Sequence, residues 1–325
     1  MTSQALRAPT AEGVARAAAK LALFLPETPL LEVRIGNATV WCKAECLQPI
    51  GAFKIRGAWH RLSDLSDEEK ARGVVGVSSG NHAQGVAWAA KRLGIEAAIV
   101  MPCDAPAVKL ANTRALGAEV VLYDRPGGED RDAVAARLCE ERGATLVHAF
   151  ADPWVIEGQG TTGLEIAAQM ERRGLGPPTR IVTPCGGGGL TAGLALALPD
   201  AAIVPVEPEH WDDMRRSLEA GQILSVEDTS APTACDALQT PATRPINFAV
   251  LKGRVPFGLM VTPFEVRAAQ RFAFSQLRLV LEPGGAAALA AALAGKAVLD
   301  GRTVIVLSGG NTDPASFAAV LAGDD

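Results

Sequence analysis

The sequence lacks the features that would place it among nucleic-acid-binding, membrane or secreted proteins. Its net charge of -5 comes from mixed signs without a basic stripe, so nothing indicates a surface for nucleic acid or anionic lipid. No segment has about 18 uncharged apolar residues in a row, so no membrane span is predicted. The alanine-rich N-terminal stretch carries Arg7, Glu12, Arg16 and Lys20, which excludes the apolar core of a secretory signal. These absences predict a cytoplasmic protein that acts on small molecules.

Metal-binding and disulfide patterns are also missing. The six cysteines form no CxxC pair and the four histidines are dispersed, so neither a zinc cluster nor a disulfide framework is predicted. Hydrophobic residues make up 48% and charged residues 21% of the 325 positions, which is typical of a compact globular protein. A chain of this length holds one large domain or two modest ones, and we favour two.

Short apolar runs alternate with helical patterns along most of the chain. From residue 73 to 150 the order is strand, helix, strand, helix, strand, helix, strand, and a second series begins near residue 154. This alternation is typical of parallel, doubly wound sheets, so the predicted fold class is α/β with two doubly wound domains. We predict a large domain of residues 1–65 and 149–325, a small inserted domain of residues 66–148, and a site in the cleft between them.

Four consecutive glycines, Gly186 to Gly189, lie between a predicted strand and a predicted helix that starts near Leu190. In a helix each would cost about 1 kcal/mol relative to alanine, so all four are predicted to be loop. Such a loop lets backbone amides converge on a phosphate, although a tight strand-to-helix turn is the alternative. The run has neither the lysine of a Walker loop nor the GxGxxG spacing. A nucleotide-binding protein or an oxidoreductase that uses this loop stays an alternative function.

Two further segments carry candidate chemistry. In "SSGNH", residues 78–82, Ser78, Ser79 and Asn81 are suited to capping a predicted helix whose first amides would also bind a carboxylate. In "GAFKIRGA", Lys54 lies in a hydrophobic turn, either with a solvated head or as a desolvated amine poised to form a Schiff base. An amine, a carboxylate cradle and a phosphate cradle are together what pyridoxal phosphate and an amino acid require.

Four segments resemble those of a known family. "GAFKIRGA", "SSGNHAQG", "PCGGGGL" and "LSGGN" look like the signature segments of the fold-type-II pyridoxal-phosphate enzymes, in the branch of serine/threonine dehydratases and serine racemases. "TPLLEV", "ECLQP" and "EPGGAAALAA" match as well, so the similarity covers nearly the whole chain in order. The resemblance implies pyridoxal 5'-phosphate bound in the cleft between the two domains, and a homodimer.

The resemblance also implies roles for individual residues. Lys54 would form the Schiff base with the cofactor and remove the α-proton of the substrate, and Ser79, on the opposite face, would be a second acid or base. Ser308 would face the pyridine nitrogen, where a neutral hydroxyl favours elimination over transamination. The other residues implied in cofactor binding are Phe53, Asn81, Gly186, Gly187, Gly188, Gly189 and Leu190. The residues implied in substrate binding are Ser78, Ser79, Asn81, His82 and Arg131.

The function implied by the resemblance is elimination from a β-hydroxy amino acid. A dehydratase, or ammonia-lyase, of L-threonine, L-serine or 3-hydroxyaspartate would release a 2-oxo acid and ammonia. Ser79 is shared with serine racemases and hydroxyaspartate dehydratases, so an amino-acid racemase is the second hypothesis. A β-replacement enzyme is the third, although "SSGNHAQG" argues against it. Arg131 lines up with an arginine that some relatives use for a second substrate carboxylate, which adds 3-hydroxyaspartate to the candidates.

The acidic segment "EPEHWDD" resembles the divalent-cation site of the racemase-like branch. By this resemblance, the carboxylates of Glu207 and Asp213 and a main-chain oxygen of Trp211 would bind Mg²⁺ or Ca²⁺, which prefer oxygen ligands. The alternative is an acidic helix N-terminus, which is favourable without a metal.

Overall fold

The computed structural model describes residues 7–78, 80–105, 107–124, 126–229 and 231–323, except for the side chain of Val108. Within these residues the strands are β1 Leu30–Ile35, β2 Ala38–Lys43, β3 Val74–Val77, β4 Ala97–Pro102, β5 Glu119–Tyr123, β6 Thr145–Val147, β7 Arg180–Pro184, β8 Ala202–Pro208, β9 Leu259–Val261 and β10 Thr303–Val306. The helices are α1 Ala11–Leu21, α2 Lys54–Ser63, α3 Asp67–Arg72, α4 Asn81–Leu93, α5 Ala107–Ala115, α6 Arg131–Arg142, α7 Pro153–Arg172, α8 Gly189–Ala197, α9 Asp213–Ala220, α10 Pro245–Leu251, α11 Pro263–Phe272, α12 Pro283–Leu293 and α13 Pro314–Ala322. None of the helices described here has both the length and the apolar character needed to cross a membrane.

The larger sheet in the described residues has six strands in the order β1-β2-β10-β7-β8-β9. Neighbouring strands are parallel except β1 and β2, which form an antiparallel hairpin. Gly36, in the connection between them, has φ +58°, a left-handed conformation that suits a tight hairpin turn. Val182, Val206 and Ile305 of the inner strands are fully buried, as expected for a parallel sheet covered on both faces.

The smaller sheet has four parallel strands in the order β5-β4-β3-β6. Its described strands all lie within residues 66–148, the range predicted for the inserted domain. The core around it is nevertheless shared, because Ile55 and Trp59 of α2 belong to the same buried cluster as Val86 of α4 and Ile99 of β4. Helix α2 therefore connects the core of the smaller sheet to the rest of the molecule, and the two domain boundaries stay a prediction.

The predicted α/β fold is confirmed, while the predicted end of one strand and the predicted extent of the glycine loop are wrong. The strand predicted up to residue 150 ends at Val147, because His148 and Phe150 leave the sheet and line a cavity. Gly189 is the first residue of α8 rather than part of the loop. At the first helical position its N–H has no partner within the helix, and the Phe150 side chain lies 3.0 Å from where a Cβ would be.

A buried ionic network anchors helix α2. The fully buried Arg56 guanidinium donates to both carboxylate oxygens of Glu45, at 2.7 and 2.8 Å, and to both of Glu165, each at 2.7 Å. Lys43 also donates to Glu165, at 2.7 Å. Two cations and two carboxylates compensate one another, which limits the cost of burying charge. The network joins β2, α2 and α7, and it fixes the first turn of α2.

A second buried charge fastens the N-terminal segment to α7. The Glu157 carboxylate accepts hydrogen bonds from Arg7 Nη1 and Nη2, at 2.5 and 2.6 Å, and from the Thr10 N–H at 3.0 Å. His60 Nε2 lies 3.5 Å from Glu157 Oε2. Burial alone would raise the pKa of Glu157, but these partners outweigh it and hold the pKa at about 2. Gly13 leaves room for this carboxylate, since a Cβ there would lie 1.9 Å from Oε1.

We expect Glu157→Gln to destabilise the fold by roughly 3 kcal/mol at neutral pH, because Arg7 loses its charged partner. A carboxylate with a folded-state pKa of about 2 contributes its full stabilisation above the unfolded pKa of about 4.3 and loses it as the pH falls toward the folded value. The difference between wild type and variant should therefore shrink between about pH 5 and about pH 2. Chemical denaturation across this pH range measures the free energy of unfolding of both proteins, with exposed Glu171→Gln on the same helix as the control. A difference that does not change with pH would contradict the low pKa assigned to Glu157.

Candidate functional site

One cavity of about 1250 Å³ is lined by residues that follow the carboxyl ends of strands from both sheets. This is the usual place for a ligand in doubly wound folds. All of the residues predicted to contact the cofactor or substrate, as far as the structure describes them, line this cavity. They are Phe53, Lys54, Ser78, Asn81, His82, Arg131, Gly186, Gly187, Gly188, Gly189, Leu190 and Ser308. Ser79 lies outside the described residues.

Lys54 is the first residue of α2, which corrects its predicted position in a turn. Phe53 is the N-cap residue of this helix, and its ring centroid lies 5.2 Å from Lys54 Nζ. The amine donates a hydrogen bond of 2.9 Å to the carbonyl oxygen of Ala149. Burial lowers the pKa of Lys54 to about 8, although the charge of Glu282 acts in the opposite direction. About a tenth of this amine is therefore neutral and nucleophilic at pH 7, far more than of an ordinary lysine.

The glycine loop lies close against its neighbours. Gly188, the N-cap residue of α8, has φ +87°, in the left-handed region that favours glycine. A Cβ at Gly187 would lie 2.4 Å from the Phe150 ring, and a Cβ at Gly188 would lie 2.6 Å from the end of Met214. Larger residues would therefore displace the wall behind the loop. With the N-terminus of α8, the loop offers backbone N–H groups and a helix dipole suited to a phosphate.

The segment after β3 contributes polar side chains to the cavity wall. Ser78 Oγ accepts the N–H of Gly80 at 3.1 Å and shapes the turn before α4. His82 Nε2 lies 2.8 Å from the Val147 carbonyl oxygen, so Nε2 carries the proton. Its Nδ1 is buried and has no hydrogen-bond partner among the described residues. Burial lowers the pKa of His82 to about 3, so the ring is neutral at physiological pH.

Glu282 is a cavity residue that the sequence analysis does not identify. It is the N-cap residue of α12, yet its carboxylate makes no capping hydrogen bond and accepts instead from Asn81 Nδ2 at 2.6 Å. Asn81 Oδ1 accepts from Asn311 Nδ2 at 2.8 Å, so both ends of the Asn81 amide are held. Burial raises the pKa of Glu282 to about 7. A glutamate at an N-cap position, where Ser, Thr, Asp and Asn are usual, is the sequence signal that could have identified it.

Ser308 follows β10 and lies beside Phe53. Only 5% of its surface is exposed, and its carbonyl oxygen accepts the Phe53 N–H at 3.1 Å. The arrangement brings two of the predicted cofactor residues together on one wall of the cavity.

The segment after β6 supplies two cavity residues that sequence reasoning also missed. The rings of His148 and Phe150 meet edge to face, with centroids 4.7 Å apart. The Phe150 ring lies directly behind Gly187. The backbone carbonyl oxygen of Phe150 accepts a hydrogen bond from Asn247 Nδ2 at 2.8 Å. No local pattern marks these residues, because their position depends on how the segment after β6 meets the glycine loop.

The predicted metal ligands Glu207, Trp211 and Asp213 lie where β8 leads into α9, and they are not among the residues lining the cavity. Glu207 accepts two backbone N–H groups from the first turn of α9, at 2.9 and 2.7 Å. Asp213 Oδ2 accepts the Thr243 N–H at 2.8 Å, whereas Oδ1 is buried without a hydrogen-bond partner in the described chain. Burial raises the pKa of both carboxyls. The described residues contain no group of three or more His, Cys, Asp or Glu side chains arranged to hold a metal ion.

Comparisons with known proteins identify the family of the chain. The model of the family described as pyridoxal-phosphate dependent enzyme matches residues 21–309. The chain is 37% identical to an L-threo-3-hydroxyaspartate ammonia-lyase of Saccharomyces cerevisiae, with 98% of each chain covered. It is 36% identical to a serine racemase of Schizosaccharomyces pombe, with 97% of this chain and 98% of that relative covered.

Solved structures agree as well. The threonine deaminase of T.th. is 44% identical with a TM-score of 0.86, over 94% of this chain and 99% of that chain. Maize serine racemase is 33% identical with a TM-score of 0.87, over 98% of both chains. The family resemblance of the sequence motifs is confirmed, and the chain belongs to the family of pyridoxal-phosphate-dependent enzymes.

Proposed function

We propose that the protein is a pyridoxal-phosphate-dependent ammonia-lyase that converts a β-hydroxy amino acid to a 2-oxo acid and ammonia. The observation that carries the proposal is that a buried amine, a glycine loop at a helix N-terminus and the polar segment after β3 all line one cavity. The relatives named as an ammonia-lyase and a threonine deaminase support it. Family membership favours this function over a nucleotide-binding protein or an oxidoreductase, which the glycine run alone leaves open.

The cavity residues fit pyridoxal phosphate. Lys54 offers an amine whose charged form is disfavoured by burial, and the pKa of about 8 leaves it reactive. Gly187 and Gly188 pack too closely against Phe150 and Met214 to carry a side chain, so this part of the cavity wall presents backbone groups suited to a phosphate. Ser308 provides a neutral hydroxyl for the ring nitrogen, and Asn81 provides an amide held in one orientation for the phenolic oxygen. When bound, the cofactor supplies the electron sink that stabilises negative charge at the substrate α-carbon.

Lys54 moves the proton at the substrate α-carbon. Its Nζ atom is fixed by the hydrogen bond to Ala149, and its neutral form can accept the α-proton. The electron pair left at the α-carbon expels the β-hydroxyl group, which takes up the proton accepted by Lys54, directly or through solvent, and leaves as water. Hydrolysis of the released enamine then gives the 2-oxo acid and ammonia, which balances the reaction.

The segment after β3 orients the substrate. The first turn of α4 attracts the α-carboxylate, because helix N-termini favour anions. His82 keeps its ring neutral beside Lys54, so it adds no positive charge that would further suppress protonation of the amine. Arg131, with 51% of its side chain exposed, lines the cavity and is available to a second carboxylate.

A racemase is the second candidate, favoured by the relatives named as serine racemases. Racemisation needs an acid on the face opposite Lys54 to return the proton with inverted configuration. Ser79 is our candidate for that acid. Homodimer formation and a cytoplasmic location stay predictions.

The divalent-cation site is a separate proposal. Two buried carboxylates, Glu207 and Asp213, and the unpartnered Asp213 Oδ1 support it, because a bound Mg²⁺ or Ca²⁺ would compensate their charge. Trp211 would add a main-chain oxygen.

The first test is a substrate panel. Protein supplied with pyridoxal phosphate should turn yellow and convert at least one of L-serine, L-threonine and 3-hydroxyaspartate to a 2-oxo acid, and Lys54→Ala should lower kcat at least about a thousandfold because the base is lost. A coupled dehydrogenase assay measures the oxo acid, and chiral chromatography measures the configuration of the remaining amino acid. Lys91→Ala, on the exposed side of α4, is the control. A colourless wild-type protein, or one without elimination, would rule out the ammonia-lyase; inversion alone would select the racemase.

A second test concerns Glu282, which is ionised above its pKa of about 7 and then raises the pKa of the Lys54 amine. Glu282→Gln keeps an oxygen for Asn81 but removes this charge, so the pKa of Lys54 should fall below about 8. The pH dependence of pyridoxal-phosphate uptake by the apoprotein, followed by absorbance, reports the neutral amine. Its midpoint should move to lower pH in the variant and stay unchanged in exposed Glu96→Gln. A midpoint that rises in Glu282→Gln would refute the coupling, and so would one that does not move.

A third test concerns the cation site. Mg²⁺ should raise the thermal midpoint of the wild type, since a ligand at a hundredfold excess over its Kd adds about 2.7 kcal/mol to stability. Asp213→Asn should remove this gain, whereas Asp67→Asn, an exposed carboxylate of α3, should retain it. Thermal unfolding with a chelator and then with added Mg²⁺ or Ca²⁺ measures the effect. If neither cation shifts the wild-type midpoint, Glu207 and Asp213 are not ligands.

A further inference from the structure

The His148 ring is held in one tautomer. Its Nδ1 accepts the backbone N–H groups of Phe150, at 3.3 Å, and Ala151, at 2.9 Å. A nitrogen that accepts two N–H groups carries no proton, so the hydrogen of the neutral ring is on Nε2. Burial, together with the charge of Arg244, lowers the pKa of His148 to about 4. His148 is therefore a neutral Nε2–H donor in the wall of the cavity at physiological pH.

Three charged side chains line the cavity around this ring. Arg131 and Asp132 begin α6, and Arg244 is the N-cap residue of α10, so the charges come from two separate parts of the chain. Asp132 Oδ1 lies 3.8 Å from Arg131 Nε, and Asp132 Oδ2 lies 3.8 Å from Arg244 Nη2. Both separations exceed hydrogen-bond length, so Asp132 compensates part of the positive charge without occupying the donors of either guanidinium.

Both arginines retain donors for a ligand. Among the described residues, no acceptor lies within hydrogen-bonding distance of the Arg131 or Arg244 side chain, and 51% and 54% of these side chains are exposed. Two guanidiniums and one carboxylate leave this wall with a net positive charge. Planar guanidiniums are well suited to binding a carboxylate through paired N–H donors.

The positive wall lies next to the reacting lysine. Ala149, whose carbonyl oxygen accepts the hydrogen bond from Lys54 Nζ at 2.9 Å, directly follows His148 in the chain. A substrate with its α-carbon at Lys54 can therefore direct a β-carbon substituent toward the segment that carries His148.

We propose that Arg244 and His148 complete, with Arg131, a subsite for a carboxylate on the substrate β-carbon. The inference rests on the proposed function and narrows it, because the preferred substrate becomes a four-carbon β-hydroxy amino dicarboxylate such as 3-hydroxyaspartate. The two arginines bind the carboxylate from different elements, and the His148 Nε2–H donates between them. Asp132 keeps the two guanidiniums near each other before the substrate binds. The substrate carboxylate then displaces Asp132, because it forms charge-assisted hydrogen bonds that are shorter than the 3.8 Å separations from Asp132.

A substrate without this carboxylate leaves the donors unpaired. In the place of this carboxylate L-threonine has a methyl group and L-serine has a hydrogen atom. Sites built for a polar group discriminate strongly against analogues that lack it. Because both arginines are about half exposed, water compensates part of the loss. We therefore expect a preference of about 100-fold in kcat/KM for 3-hydroxyaspartate over L-threonine, below the largest ratios such sites reach.

The experiment compares kcat/KM for 3-hydroxyaspartate and L-threonine in the holoenzyme. Arg244→Gln and His148→Asn should each reduce the ratio of the two at least tenfold, and the asparagine oxygen of the second variant can still accept the N–H groups that hold the loop. Arg137→Gln, on the same helix as Arg131 but with an exposed side chain 3.9 Å from Glu129, should leave the ratio unchanged. Calorimetric titration with succinate, an unreactive dicarboxylate, should show weaker binding to Arg244→Gln and tighter binding to Asp132→Asn.

The outcomes separate this inference from the function on which it rests. If the wild type eliminates from β-hydroxy amino acids but Arg244→Gln and His148→Asn leave the substrate ratio and succinate binding unchanged, the subsite is refuted and the ammonia-lyase stands. If the wild type eliminates from none of these substrates, the proposed function fails, and the subsite fails with it. A selective loss of 3-hydroxyaspartate turnover together with weaker succinate binding establishes the subsite.

Discussion

The site depends on burying the Lys54 amine without giving it a full counter-charge. Lys54 is the first residue of α2, and a helix N-terminus is an unfavourable place for a cation. The nearby Arg56 has its charge compensated in the network with Glu45 and Glu165, so that network fixes the helix without leaving excess negative charge beside the amine. The one carboxylate that raises the pKa of Lys54, Glu282, has its own ionisation disfavoured by burial. The chain thus positions the amine firmly and makes it easier to deprotonate than an ordinary lysine.

The two glycines that flank Lys54 serve different contacts. Gly51 has φ +73°, and a Cβ there would lie 2.4 Å from Asn311 Oδ1, so this glycine makes room for the amide that holds Asn81. A Cβ at Gly57 would lie 2.7 Å from the Val155 carbonyl oxygen, and one at Gly158 would lie 2.6 Å from the Gly57 Cα. Helices α2 and α7 therefore meet at backbone distance. The contact with α7 therefore fixes the helix that begins with Lys54, and Gly51 leaves room for the amides of Asn311 and Asn81.

The sequence predicted those parts of the site whose chemistry is local. Four glycines in a row would be costly in a helix, and an ammonium group is costly in a hydrophobic segment. Both costs can be read within a few residues of the sequence, and they indicated a loop for the glycines and a special role for Lys54. Glu282 and Arg244 show no such cost, because they acquire their partners from distant segments, Glu282 from α4 and Arg244 from α6. His148 has local partners, the N–H groups of Phe150 and Ala151, but its place in the cavity depends on how the segment after β6 meets the glycine loop. The position of Lys54 at a helix start was missed for the same reason, since the ionic network that fixes α2 joins β2 and α7 to it. The alternation that predicts the two doubly wound units begins only at residue 73, so it does not cover strand β1, which pairs antiparallel with β2.

The charged side chains beyond the reacting centre pair across the cavity, and these pairs would orient a substrate. Near the reacting centre, the rings of His82 and His148 are neutral because burial lowers the pKa of each. The formal charges beyond them meet across the cavity, where Lys109 of α5 pairs with Asp236, and Asp132 of α6 faces Arg244. Ion pairs that are partly exposed contribute little stability, so an entering anion can replace one partner at small cost. An amino dicarboxylate would exchange its distal carboxylate for Asp132 while its amino end reaches Lys54. The contacts that join the two sides of the cavity would then also select the orientation of the substrate.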